Sequence, residues 1–539
     1  MQGLAKQSGK TLALDMLRSD PKQTEFVDFL SPFGNKLRAD NRWVKLASFM
    51  PWAVVEECYA ESLAGTGMGR SALPGRVAFG ALIIKERLGT TDEETAEQIR
   101  ETPYLQFFLG LSEFREEFLF DPSMMVHFRA RFGEEAHQRI NTAIIEKANP
   151  STQGKHPEDN DDDQSPPPAN AGKLLVDATC TPADITYPTD LKLLAEAREK
   201  TEAFIDILHE PFIGQCNKPR TYRQQARKRF LTIAKQKKPG RKKIRKAIGQ
   251  QLRYLRRNLK HIEEQLRNGA NLSMLSNYQY KSLLVIHEVY RQQEIMYRER
   301  THRIPDRIVS ISQPHVRPIV RGKAGKPVEF GAKISLSHLP GGFVTLDRLS
   351  WDAYNEQGDL IGQIESYRQR HGYYPESVHA DTIYRNRANR SYCKERKIRL
   401  SGKPLGRPPK PTEANREMLK ALKKQNLADE HARIPVEGKF GNAKRKGTLG
   451  RIMAKLRNTS ESVIHIGMIV LNLDTWLRAE LKSLLDALIT CVQDKQRQVR
   501  KLIQAVEELT GSILRKMRES QAENRRTRIL GILGFQSFS

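Results

Sequence analysis

The chain has 539 residues, and its 90 Lys and Arg against 63 Asp and Glu leave a formal net charge of +27. A surplus of that size points to a polyanion such as nucleic acid, because each phosphate neutralised by a cation releases counterions; the plainer alternative is a basic protein that is merely soluble or ribosome-associated. The length allows roughly three to four domains, and no apolar run reaches the ~18 residues a membrane span requires. Five scattered cysteines without a CxxC pair argue against a structural zinc site and suit a reducing compartment. The opening MQGLAKQSGK has no apolar stretch of the secretory kind, so the expected location is the cytoplasm, in association with the nucleoid.

Residues 1–149 read as a helical N-terminal domain for DNA binding or assembly. Val77, Ala81, Ile84 and Leu88 repeat at one helical face. Thr90-Thr91 followed by Glu93-Glu94 has the form of a capping box opening a helix through Ile99. Pro103 interrupts, Tyr104–Leu111 resumes, and Asp121-Pro122-Ser123 caps a last short helix over Met124–Phe132. Short helices joined by tight turns fit either a helix-turn-helix or a bundle without DNA contact. Residues 150–172, Pro-rich and acidic with almost nothing to bury, predict a disordered linker.

Mixed α/β material is expected over 173–480. Lys173–Thr179 predicts a buried strand ending near Asp177, and Phe330–Ser337 with Phe343–Leu349 predicts a hairpin turned by Pro340-Gly341-Gly342. A helix is expected over Asp359–Arg370, a strand over Ser377–Asp381 and another over Lys397–Ser401. Within this stretch, 191–300 reads as an inserted helical hairpin. Leu252, Leu255, Leu259, Ile262 and Leu266 follow a coiled-coil spacing, and Pro219–Lys260 holds seventeen Lys or Arg and no acid. Arg241, Lys242, Lys243, Arg245 and Lys246 are therefore candidate DNA contacts, with solvation of the charges as the alternative. A Gly-Arg-Pro run centred on Arg407 resembles the core of a minor-groove hook, against the simpler reading of a proline-stiffened loop. Residues 481–539 predict a helical tail, either a dimerisation helix or a solvated arm.

Cutting a phosphodiester requires a source of hydroxide and a sink for charge on the leaving oxygen. Two divalent ions roughly 3.5–4 Å apart supply both, held by carboxylates from rigid elements. Asp177 and Asp381 each close an apolar strand, where an α/β sheet exposes its ligands. Glu437 lies in RIPVEGKFGNAK, seven residues before Lys444 on one helical face. Pro435 suits a first helical turn, which would set Arg433 at the start of that helix rather than on the face of Glu437. Gly438 and Gly441 each cost a helix about 1 kcal/mol and make sense where sheet or DNA packs closely. His379 and Trp351 read as packed core residues more readily than as a metal ligand and a base-stacking platform, and Tyr384 and Asn389 as residues that order the loop after the strand.

The segments LLVDAT, EFGAKISLS, SWDAYNEQGDL, YYPESVHADTIYRNRANRSYCKERKIRLSG and RIPVEGKFGNAKRKGTLGRI resemble the DDE transposases of bacterial insertion sequences over about Lys173–Leu477, and ETPYLQFFLGL resembles the helical domain preceding their catalytic core. The resemblance implies an α/β RNase H-like catalytic core with a helical N-terminal domain, the helical coiled-coil-like insertion and a helical C-terminal tail. It implies Asp177, Asp381 and Glu437 as catalytic and metal-binding residues for two Mg2+ or Mn2+ ions, and Arg433 and Lys444 as phosphate holders. It implies cleavage and strand transfer of double-stranded DNA at terminal inverted repeats and into target DNA, by a homodimer on DNA away from any membrane. Three positions depart from the family pattern: Glu430 where a Tyr is usual, Thr382 where a Lys is common, and Gly447 where a Tyr is frequent. The competing functions are an RNase H-like metal nuclease without strand transfer and a non-enzymatic nucleic-acid-binding protein.

Overall fold

The structure is a computed structural model, and it describes residues 36–63, 71–149, 169–323, 326–402, 406, 409–410 and 412–532. Most of the expected linker, 150–168, and Arg407 of the hook-like run lie outside the described residues. The chain divides into two units, Met1–Asp474 and Thr475–Ser539.

Among the described residues, seven helices precede the sheet: α1 (Arg42–Phe49), α2 (Trp52–Leu63), α3 (Gly75–Leu88), α4 (Asp92–Glu101), α5 (Pro103–Phe108), α6 (Met124–Arg131) and α7 (Glu134–Ala148). The Thr91 hydroxyl accepts the Glu94 N–H at 3.1 Å and starts α4. Pro103 is the first residue of α5, where its missing N–H breaks no bond. α6 is not the last helix of this region, since Gly133 sets up a further one whose buried Ile140 and Ile144 continue the apolar face. Arg129 of α6 is buried and makes a bidentate pair with Asp92 at 2.9 and 2.6 Å, so this charge joins α6 to α4 instead of facing solvent.

The sheet comprises β1 (Lys173–Pro182), β2 (Arg317–Lys323), β3 (Lys326–His338), β4 (Val344–Ser350), β5 (Ser377–His379) and β6 (Arg399–Leu400). β1 runs antiparallel to β3 and parallel to β5; β5 is parallel to β6, and β3 also pairs antiparallel with β2 and β4. The hairpin through Pro340-Gly341-Gly342 forms as expected, with Gly341 at φ 78° where a side chain would be strained. β5 and β6 are shorter than the expected Ser377–Asp381 and Lys397–Ser401, and two further features differ from expectation. β1 does not stop near Asp177 but continues to Pro182, because β3 pairs with it as far as Gly331. β2 was not foreseen, its sequence RPIVRGK being too polar and Gly-broken to show a strand period. Gly331 lets the strands close, since a Cβ there would lie 2.0 Å from the Thr181 carbonyl oxygen.

Between β1 and β2 the chain forms α8 (Asp190–Leu208), α9 (Arg223–Ala234), α10 (Arg241–Arg267) and α11 (Asn277–Glu299). The expected apolar seam of α10 is real: Leu252, Leu255, Leu259 and Ile262 are buried in a core of their own with Phe204 of α8 and Ile286 of α11. After β6 come α14 (Arg416–Arg445) and α15 (Arg457–Ile532), with α12 (Leu360–His371) and α13 (Arg387–Glu395) flanking β5.

The N-terminal helices are joined to the sheet through α7. His137 stacks on His465, ring centroids 5.2 Å apart, and the Asn472 amide donates to Asn141 Oδ1 and to the Val344 carbonyl, both at 2.8 Å. Burial pushes His137 down to about 3 and His465 down to about 4. Both imidazoles are therefore neutral when folded, whereas the unfolded chain takes up protons below about pH 6.5. Stability is expected to be complete above that value and to fall as the pH drops, by about 2 kcal/mol per histidine at pH 5. A thermal melting midpoint of the full chain that stays flat between pH 7 and pH 5 would contradict this.

Candidate active site

The register of β1 with β5 pairs Leu175 with His379, so two residues further along both chains Asp177 and Asp381 come side by side. Asp177 lies within β1, and Asp381 follows β5, with its Oδ1 accepting the Thr382 N–H at 2.6 Å to start a short 3-10 turn. Burial pushes the Asp177 carboxyl up, and the negative charges of Glu356 and Asp381 push the same way; the Ala178 N–H and Arg433 oppose them. Asp177 thus sits in a site already crowded with negative charge.

Glu437 arrives from α14. The helix lies on the sheet by Val436, Phe440 and Ala443, which are buried with Ile334, Leu336 and Leu346. That seating leaves Arg433, Glu437 and Lys444 flanking the buried stripe. Arg433 reaches both other acids, Nη1 3.7 Å from Asp381 Oδ1 and Nη2 3.9 Å from Glu437 Oε1. These are ion pairs too long for hydrogen bonds. Lys444 Nζ donates to Thr179 Oγ1 at 2.9 Å, two residues beyond Asp177 on the same face of β1.

The local expectation for Pro435 fails. It lies inside the helix, not in its first turn, and Arg433 shares the face of Glu437 at i, i+4. The burial of Val436 and Phe440 on the sheet offsets the hydrogen bond that proline removes. The close packing expected at Gly438 is also not made by another part of the protein, since among the described residues nothing beyond the adjoining helix backbone lies within 4 Å of a Cβ built there, and at Gly441 only the Arg445 side chain does. Gly438→Ala should therefore raise helix stability by about 1 kcal/mol. If DNA supplies the missing contact, the same variant loses DNA affinity, and a titration showing stabilisation with unchanged affinity removes that role.

Behind the acids a second set of contacts fixes α14. Asp429 is buried and receives both Arg399 Nη atoms, at 2.8 and 2.9 Å, from β6. Its carboxylate lies 3.6 Å from His379 Nδ1. Burial pushes Asp429 up, but the Arg399 bonds outweigh it and hold the carboxyl below the usual range. His379 is a packed histidine, 1 % exposed and bonded to Ser377 through Nε2. Asn389 orders the loop by donating to the carbonyls of Gln357 and Tyr384. Trp351 is a core residue whose Nε1 donates to Glu461 at 2.9 Å.

Glu356 and Asp429 were not singled out from sequence. Glu356 pairs with Lys333 at 2.7 Å, both side chains less than a fifth exposed, and its charge bears on Asp177. The only signal was its place within SWDAYNEQGDL. Among the basic candidates of α10, Arg241, Lys242, Lys243 and Lys246 are exposed. Arg245 instead lies over the Tyr297 ring at 4.3 Å and donates to its carbonyl.

Comparison with known protein families matches residues 378–474 to a transposase DDE domain and residues 31–131 to a transposase domain designated DUF772. The two matches support a DDE transposase of the insertion-sequence type. The first match spans Asp381, Arg433, Glu437 and Lys444, and Asp177 precedes it. No curated protein and no solved structure matches the chain. Among the described residues no helix is long and apolar enough to cross a membrane.

Proposed function

We propose that this transposase cleaves double-stranded DNA at the terminal inverted repeats of an insertion sequence and joins the freed ends to target DNA, with Asp177, Asp381 and Glu437 as its catalytic and metal-binding carboxylates. The observation that carries the reading is the position of Arg433, whose guanidinium lies between Asp381 and Glu437 beside the strand holding Asp177. Asp177 lies in β1, Asp381 just beyond β5 and Glu437 on α14, and Arg433 contacts the last two. The sheet supports an RNase H-like reading, with β4, β3, β1, β5 and β6 adjacent in that order and β1, β5 and β6 parallel. The helical block between β1 and β2 is then an insertion into that core.

The donor set fits hard divalent ions such as Mg2+ or Mn2+, which take carboxylate oxygens. Among the described residues no three His, Cys, Asp or Glu are grouped tightly enough to hold a metal, and Arg433 serves as the counter-charge between two of the acids. A pair of ions, when bound, would supply the activated hydroxide and the charge sink for the leaving oxygen. Arg433, displaced from its two acids, is placed to take a DNA phosphate in bidentate fashion, and Lys444 to add a point charge beside Thr179. The test is incubation of the full chain with a plasmid carrying the element ends in Mg2+ or Mn2+. Nicks confined to the ends followed by joined strands are expected. Cleavage without joining would reduce the protein to a nuclease, and no cleavage in either metal would leave only nucleic-acid binding.

A further inference from the structure

The unit Thr475–Ser539 is helical through Ile532, and over Leu481–Met517 it carries an apolar stripe in heptad order. Taking Leu485 as an a position, the a series reads Leu485, Val492, Val499, Val506 and Ile513. The d series reads Leu481, Leu488, Leu502 and Leu509, broken by Lys495 and Lys516. All nine apolar members are between 50 and 66 % exposed. Most of the other charges fall at b, c and f, among them the Asp494–Arg497 pair, and exposed Ile489, Ile503 and Met517 at e widen the stripe. A stripe sustained over five heptads exceeds the three to four that mark a coiled coil.

We infer that this helix pairs with the same helix of a second copy of the chain in a parallel, in-register two-stranded coiled coil. This deepens the homodimer expected of the transposase and rests on that reading only for its biological use. Three arguments commit the stripe to a second copy. β-Branched residues fill four of the five a positions while leucine fills d, the combination that favours two parallel strands. The stripe is about 55 Å long and 10–12 Å across, roughly 600 Å² in projection, comparable to the ~800 Å² per partner of a stable interface once side-chain relief is added. The two lysines at d also choose the register. In register, each meets its own counterpart, giving two polar layers, and their stems lie along the seam while the ammonium groups reach water. A shift by one heptad spreads the lysines over more layers and breaks more of the apolar seam.

The mass of the full chain in solution tests the pairing. Light scattering should give twice 61.6 kDa, about 123 kDa, for the unaltered chain and 61.6 kDa for the Leu488→Asp/Leu502→Asp double variant with its melting curve otherwise retained. A monomeric unaltered chain overturns the inference. Because surfaces of the first unit can also hold copies together, orientation is read separately in a chain whose exposed Cys216 and Cys491 are replaced by Ser. There, oxidised Leu488→Cys at d should cross-link to a dimer and Thr490→Cys at the outer f position should not; no cross-link at 488, or equal cross-linking at both, overturns it. Neither readout uses DNA or metal, so failure here leaves the cleavage reading standing, and a chain that dimerises but does not cleave fails the other reading alone.

Discussion

Asp177→Ala, Asp381→Ala and Glu437→Ala are each expected to reduce cleavage at an element end by more than about 100-fold, because replacing even a residue behind a metal ligand typically costs 10–100-fold. Binding to the end should remain within a few-fold of the unaltered chain, since phosphate is held by basic groups and not by the acids. Removing an acid also removes negative charge from a crowded site, so binding in the absence of metal is expected to hold or tighten slightly. The Asp177 variant is the most informative, because this acid is half-buried, feels the charges of Glu356 and Asp381, and lies outside the matched DDE segment. Measurement of single-turnover end cleavage in Mg2+ beside end binding in its absence separates the two effects. A Glu437→Ala protein cleaving at the unaltered rate would remove α14 from the chemistry. Arg433→Ala offers a contrast: it frees Asp381 and Glu437 of their counter-charge and removes the proposed phosphate holder, so both cleavage and binding should fall.

The second large effect concerns the basic face of α10. Replacing Arg241, Lys242, Lys243 and Lys246 with Gln should flatten the slope of log affinity against log salt by roughly 0.9 for each phosphate left without its cation, about 3 to 4 in all. Discrimination between an element end and random DNA should hardly change, because phosphate contacts position the protein without reading bases. The structure separates Arg245 from this group. Its guanidinium covers Tyr297 and bonds the Tyr297 carbonyl, so Arg245→Gln is expected to loosen the α10–α11 packing and leave the salt slope nearly unchanged. A slope unaffected by the fourfold replacement would detach this helix from DNA.

Much of the architecture was legible along the chain. Val77 to Leu88, the Thr91 cap, the Gly341-Gly342 turn and the α10 seam are local patterns of period, capping and backbone freedom, and each appears where its residues predict. The acids at 177, 381 and 437 could likewise be nominated from apolar strands and a helical spacing, and the family resemblance narrowed the choice. Pairing decided the rest. The continuation of β1 beyond Asp177 depends on β3 lying against it, and β2 exists because β3 offers it an edge. Pro435 stays within a helix because Val436 and Phe440 are buried on a distant sheet, and that same seating turns Arg433 toward Asp381. The Asp429–Arg399 pair and the Glu356–Lys333 pair join residues 30 and 23 positions apart along the chain. By itself the sequence determined periods, caps, turns and the inventory of acids, because those depend on neighbours within a few residues. Which acids face one another, and which cation stands between them, was decided only by tertiary structure, because a charge gains its meaning from what the fold brings within a few ångströms of it.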